Sequence, residues 1–217
     1  MMDKIDILGA SIDTLSMIFE ILAHQINIPQ VRIVQNTSHA LDGDFLHPKV
    51  SYTSVHVENI ENRLFDKVIL GVYQVKTKYA VWNSFLERFP NLEQHLCNIL
   101  HPQNAIAETV SLDKGIQINP FVVIAPYAKI GKCVSINRQV SIGHHTSISD
   151  FSTINPGVNI AGHCEIAEGV TVGMGTNIIE GVKIGKNSIV GAGSLVLKDI
   201  PENVLALGSP AKIIKEL

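Results

Sequence analysis

Aromatic residues are scarce in this chain. Seven Phe, four Tyr and one Trp make up 6% of 217 residues, although 46% of the residues are apolar. A core that apolar with so few rings must be built from small aliphatic side chains. Cysteine is scarce as well. Cys97, Cys133 and Cys164 are the three present, and no CxxC pair occurs. That excludes a closed disulfide framework and a paired-cysteine metal site, and it fits a reducing cytoplasm. Neither sign of charge is in large excess: 17 Lys and Arg stand against 20 Asp and Glu, a net charge of −3. A basic face for general nucleic-acid binding is therefore excluded. Long apolar runs are missing too. No uninterrupted stretch reaches the roughly 18–20 residues that a bilayer span needs, so no membrane insertion is expected. The apolar run within Met1–Leu8 is too short for a signal peptide.

What is present is unevenly distributed. Residues 1–100 hold 9 of the aromatics and 3 of the 16 glycines, whereas residues 101–217 hold 3 aromatics and 13 glycines. This shift predicts a domain boundary near residue 100. From Ile106 every sixth residue up to Val196 is Ile, Leu or Val, through Ile124, Ile142, Ile160 and Ile178. Two residues before each step the side chain is mostly small or branched, as at Val122, Val140 and Thr146. One residue after it comes mostly Gly, Ala, Asn or Ser, as at Gly131, Gly143 and Gly173.

A period of six is neither helical nor simple strand alternation. It is the hexapeptide repeat of a parallel β-helix. Two aliphatic sites of each hexad point inward, and the small residue takes a corner where a Cβ is costly. Three flat faces close one turn of 18 residues, and turns stack at about 4.8 Å. Such an interior takes Ile and Val but not rings. Asn119, Asn137 and Asn155 lie 18 apart and are expected to stack at one corner, pairing their amides.

The first 100 residues read differently. Lys4–Gly9, Gln30–Val34 and Lys67–Leu70 are predicted strands, and Leu15–His24 and Tyr79–Phe89 predicted helices. Alternation of this kind predicts a small parallel α/β sheet.

Residues 101–217 resemble the left-handed β-helix acyltransferases of the hexapeptide-transferase superfamily. The residues that carry the likeness are Ile142-Gly-His144-His145, Ser149-Asp150-Phe151, Gly191-Ala-Gly-Ser-Leu-Val-Leu-Lys198 and Gly208-Ser-Pro210-Ala-Lys212. The whole chain resembles the NeuD-type sugar O-/N-acetyltransferases. The resemblance implies a Rossmann-like α/β domain over 1–100, an all-β left-handed parallel β-helix over 101–198 and a tail over 199–217. It also implies a homotrimer with acetyl-CoA bound between adjacent coils, and a sugar or nucleotide-sugar acceptor in bacterial surface glycan synthesis.

Acyl transfer from a thioester needs a base, donors for the tetrahedral oxyanion and a groove for the CoA arm. His144 follows the corner Gly143, so its ring should project outward, and the resemblance assigns the catalytic histidine to the same place. One turn above it stands Gly162, whose backbone N–H a thioester carbonyl should reach. Relatives usually carry Asp or Glu after the histidine; here the residue is His145, a ring expected to be unable to orient His144. Thr153 replaces a second family histidine. Either a carboxylate from elsewhere substitutes, with Asp150 and Glu165 the sequence-near candidates, or the acceptor is an amine, which needs less help than a hydroxyl.

His145, Thr153 and Asn137 are the expected acceptor contacts of the coil. The resemblance places CoA on Gly162, Gly173, Gly191, Ala192, Lys198, Pro210, Ala211 and Lys212. In the first domain it places the sugar nucleotide near Gly9, Ser11, Gly71 and Lys76. The loop Gly9-Ala10-Ser11-Ile12-Asp13 keeps one glycine only, and Asp13 would repel a phosphate. His145 and His163, 18 apart, should stack beside His144. The β-helical carbonic anhydrases, however, use a different histidine spacing, with a pair five residues apart that is missing here, so no metal is expected. Amine acetylation is the leading reading. Sugar O-acetylation and a non-catalytic trimeric binding module are the alternatives.

Overall fold

The chain follows two folding patterns in turn, seen in a computed structural model that describes residues 4–25, 27–37, 47–60 and 65–217. The two units are Met1–Pro102 and Gln103–Leu217.

In the first unit, β1 (Lys4–Leu8), α1 (Ile12–Ala23), β2 (Gln30–Gln35), β3 (Tyr52–His56), β4 (Lys67–Leu70) and α2 (Val75–Arg88) follow one another. The sheet is parallel, in the order β3-β2-β1-β4. Ile7, Ile33 and Ile69 from the strands and Leu15, Ile18, Phe19 and Leu22 from α1 are fully buried in it. Those α1 residues recur at the three- and four-residue spacing of one helical face, which is why this segment coils. The predicted elements are present with shifted ends. The helix expected at Tyr79 begins at Val75, after an extended Gln74. Strand β3 was not expected, because Tyr52-Thr-Ser-Val-His56 lacks a buried apolar face and lies at the sheet edge.

One polar pair lies inside this core. Asp6 and Arg32 face each other across β1 and β2, joined by two hydrogen bonds of 2.6 and 3.0 Å donated by the guanidinium. Burial pushes the Asp6 carboxyl above its ordinary range, and Arg32 pulls it back. Removing one partner of such a pair leaves an unpaired buried charge. Arg32→Met is therefore expected to lower stability by about 3–5 kcal/mol, and Asp6→Leu/Arg32→Met to recover most of it. Urea unfolding followed by Trp82, the single and buried tryptophan, checks this; equal losses in the single and double variants would contradict it.

In the second unit the hexads form two-residue strands on three faces. Strands on the first face begin at Ala105, Val123, Ser141, Asn159, Asn177 and Leu195; on the second at Ser111, Lys129, Ser147, Glu165 and Lys183; and on the third from Gln117 to Ile189 in the same steps. Each strand pairs in parallel with the one 18 residues on, for example Ser141 with Asn159 and Ile142 with Ile160. The third face continues into Val204–Gly208, which pairs antiparallel with Ala211–Glu216. The inward steps are buried, Ile118, Ile136, Ile154, Val172 and Val190 completely. Inward hydroxyls are bonded rather than stranded. Thr146 Oγ1 donates to the Ala161 carbonyl at 2.8 Å, and Ser152 Oγ to that of Ala167 at 2.9 Å, each closing a corner against the next coil.

The corners work differently from the sequence expectation. The residue with positive φ stands three places after the aliphatic step, not one: Cys133, His145, Phe151 and His163 all occupy it. At one place after the step the demand for glycine is a close approach. A Cβ on Gly143 would collide with the Ala161–Gly162 backbone of the next coil. The expected asparagine ladder also differs. Asn137 Oδ1 accepts from Arg138 N, and Asn155 Nδ2 donates to the Val172 carbonyl, so both satisfy the backbone. Side-chain amides bond one another at Asn159 and Asn177 instead, at 3.1 Å, where both point outward from the first face.

Candidate active site

The corner between the first and second faces gathers the chemistry. It repeats at residues 143–145 and 161–163 on adjacent coils, tied by His163 N–H donating to the His144 carbonyl at 2.9 Å. Thr146 braces it from inside, since its hydroxyl also accepts from Cys164 N at 3.1 Å. The His144 side chain is exposed and its ring lies over Gly162: a Cβ built on that glycine would stand 2.8, 2.9 and 3.2 Å from three ring atoms. Gly162 has no positive φ, so the absence of a side chain there is a matter of space. Its N–H donates no hydrogen bond among the described residues, whereas Ala161 N and His163 N on either side are both used. A ring nitrogen and a backbone N–H with no hydrogen bond thus stand at one corner, although Gly162 itself is buried beneath the ring.

His145 lies beside His144, with Nδ1 to Nδ1 at 3.2 Å and the rings perpendicular at 5.3 Å between centroids. One ring must donate and the other accept. When His144 donates from Nδ1–H, its Nε2 keeps a lone pair, the form a base needs. The contact admits either ring as donor, and His145 supplies no negative charge. Neither proposed substitute carboxylate does so in this chain. Asp150 Oδ1 accepts from Lys132 N at the next corner, and Glu165 pairs with Lys183 at 2.8 Å.

The 18-residue register extends the stack. The Tyr127 ring lies 4.9 Å from His145, and His145 stacks on His163 at 4.9 Å with an angle of 16° between planes. Tyr127 is a site residue that sequence reasoning missed, although a step of 18 back from His145 reaches it.

The remaining expected residues separate into groups. Lys198 occupies the same corner as His144, three coils on, or about 14 Å along the axis. Gly173, Gly191 and Ala192 lie at the corner between the third and first faces. Pro210, Ala211 and Lys212 follow the turn after Gly208, next to the same corner, where Leu207 lies against Gly191. The expected CoA residues therefore flank the first face from two sides. Asn137 stands at that opposite corner also, and Thr153 on the third face, so one chain does not bring them beside His144. A groove of about 560 Å³ along the second face, lined by Ser147, Glu165, Lys183 and Asp199, contains none of the expected CoA or acceptor contacts.

In the first unit, Gly9 and Ser11 follow β1, and Gly71 and Lys76 follow β4. Chain order reverses between these two neighbouring strands, the switch point where open α/β sheets bind ligands at the carboxyl ends. Gly9 has positive φ, and Ser11 N donates to the Gly71 carbonyl at 3.0 Å, closing one loop on the other. A Cβ on Gly71 would collide with the Gly9 carbonyl. Both glycines thus have packing reasons to be there. Lys76, in the first turn of α2, is exposed.

Fold and corner together define a hexapeptide-repeat β-helix with a Rossmann-like domain in front. Residues 163–198 match the family model for bacterial transferase hexapeptide, six repeats. Solved structures share the fold over nearly the whole chain. PerB from Caulobacter crescentus, in complex with CoA and GDP-perosamine, is 23% identical with a TM-score of 0.80, over 98% of this chain and 97% of that one. The acetyltransferase domain of PglB from Neisseria gonorrhoeae, in complex with acetyl coenzyme A, is 18% identical with a TM-score of 0.82, over 99% and 100%. WeeI from Acinetobacter baumannii is 21% identical with a TM-score of 0.76, over 99% and 100%. No curated protein sequence matches the chain. Among the described residues no helix is long and apolar enough to cross a membrane.

Proposed function

We propose that this chain transfers the acetyl group of acetyl-CoA to the amino group of a nucleotide-linked amino sugar, in cytoplasmic synthesis of a bacterial surface glycan. The observation that carries this reading is the exposed His144 ring resting on a glycine whose N–H donates no hydrogen bond. It sits in a fold shared with perosamine N-acetyltransferase from Caulobacter crescentus, solved with CoA and GDP-perosamine.

The amine nitrogen attacks the thioester carbon and forms the C–N bond. The oxyanion is held by Gly162 N–H. Its collapse breaks the C–S bond, His144 Nε2 takes the proton shed by nitrogen, and that proton passes to the departing CoA sulfur. A neutral amine already has its lone pair free, so a base without a carboxylate behind it suffices. A hydroxyl would demand proton removal during attack.

The chain works as a homotrimer in this reading. His144 and Lys198 stand at one corner of the first face and Lys212 beside the other, so adjacent subunits set the two corners against each other. CoA then lies between them, with its phosphates toward the lysines. The switch point at Gly9, Ser11, Gly71 and Lys76 takes the nucleotide.

The test is CoA release from acetyl-CoA with a panel of nucleotide-linked amino sugars and their hydroxyl counterparts. Stoichiometric release with an amino sugar is expected. Preference for the hydroxyl counterpart would overturn amine transfer in favour of O-acetylation. Absence of any calorimetric acetyl-CoA binding would leave a non-catalytic module.

A further inference from the structure

We propose that His144, His145 and His163 form a binding site for one divalent transition cation of the imidazole-seeking kind, such as Zn²⁺ or Co²⁺, and that an occupied site cannot act as the acetyl-transfer base. The second half rests on the function proposed above; the first does not.

One ligand nitrogen from each of the three rings lies within 4.8 Å of the others, and all three side chains are exposed. No other group of three His, Cys, Asp or Glu among the described residues comes together in this way. Metal–imidazole bonds of about 2.0–2.1 Å at a tetrahedral angle put two ligand nitrogens about 3.3 Å apart. The His144 and His145 Nδ1 atoms are already 3.2 Å apart. The third ring has to close by roughly 1.5 Å, which rotation of exposed side chains supplies. The sequence expectation set a metal aside because the histidine spacing of the β-helical carbonic anhydrases is missing, although the 18-residue stack already placed His163 beside His145. The site is instead made by two consecutive residues and one from the next coil, brought together by the 18-residue stack and the positive φ shared by His145 and His163. Three imidazoles leave a fourth position open, and neutral nitrogen ligands suit zinc, cobalt, nickel and copper rather than magnesium or calcium.

The conflict with catalysis follows from counting lone pairs. A neutral imidazole has one proton and one nitrogen lone pair. If His144 Nδ1 gives its pair to a metal, the proton sits on Nε2, and no pair remains there for the acceptor's proton. Metal and base function therefore exclude each other at this ring.

His163 takes no part in the proposed proton transfer, and Asn tolerates its left-handed backbone. Chelator-treated protein is titrated with Co²⁺, read by its visible absorption, and with Zn²⁺, read by calorimetry. One ion per chain with Kd below about 10 µM is expected, weakened at least about tenfold in His163→Asn. Equal affinity in the wild type and the variant would overturn the site whatever the chain acetylates. In turnover, Zn²⁺ that saturates the wild type is expected to silence it, and chelator to restore it. Whatever its metal-free rate, His163→Asn should lose a much smaller share of that rate to the same Zn²⁺ than the wild type does. A wild type that turns over normally with the site filled would overturn the exclusion, and a chain that never turns over would overturn the function but leave the titration to decide the site.

Discussion

His144→Ala is expected to lower kcat for acetyl transfer at least about 100-fold. The change removes the ring above Gly162 and leaves the coil intact, since the side chain is exposed and its backbone carbonyl still accepts from His163 N. Acetyl-CoA binding measured by calorimetry should persist. The loss should be smaller at high pH with a weakly basic amino-sugar acceptor, whose free amine attacks unaided and sheds its proton to solvent. A kcat within about tenfold of the wild type would remove His144 from the role of base, and with it the main reason for reading this corner as an active site.

The second large effect is expected from Gly162→Ala. Backbone strain does not enter, because Gly162 has no positive φ. The added methyl group would instead stand 2.8–2.9 Å from two atoms of the His144 ring. The ring must swing away, which separates its Nε2 from the unbonded Gly162 N–H and breaks the 3.2 Å contact with His145. A displacement of about 1 Å at a reacting group costs on the order of 100-fold in rate, and that is the expected loss of kcat. The double variant His144→Ala/Gly162→Ala separates this cause from general damage. If the methyl acts by displacing the ring, the double variant loses little more than His144→Ala alone. Additive losses would point to Gly162 acting independently, through its N–H or the coil backbone. The melting temperature should stay near that of the wild type, since the methyl faces an exposed ring and not the packed interior.

Much of this site was legible before any coordinates. The step of six placed Ile142 inside and His144 outside, and three hexads to the turn placed Gly162 above His144 and His163 above His145. That arithmetic works because a parallel coil repeats its backbone: whatever lies 18 residues on must lie one strand spacing away. The same register would also have reached Tyr127. What the period does not contain is direction at the corners. The left-handed φ falls at Cys133, His145, Phe151 and His163, not on the small residue after the aliphatic step. That shift turns His145 toward His144. Where a carboxylate was expected, the motif holds a ring pair in contact Nδ1 to Nδ1. The same corner geometry occupies Asp150 and Glu165 elsewhere and spends Asn137 and Asn155 on the backbone.

The first unit divides along similar lines. Buried apolar periodicity marked α1 and three of the strands, whereas β3 and the start of α2 carry no such pattern and come from pairing and loop closure. By itself the sequence determined two units and the scarcity of rings in the second, because a coil of three short faces admits Ile and Val and excludes aromatics from its interior. It also determined which residues share a column. Only the tertiary structure decided which of those side chains touch, since contact depends on the corner dihedrals of adjacent coils. It brought three histidine nitrogens within 4.8 Å of one another, a distance the 18-residue register could not supply.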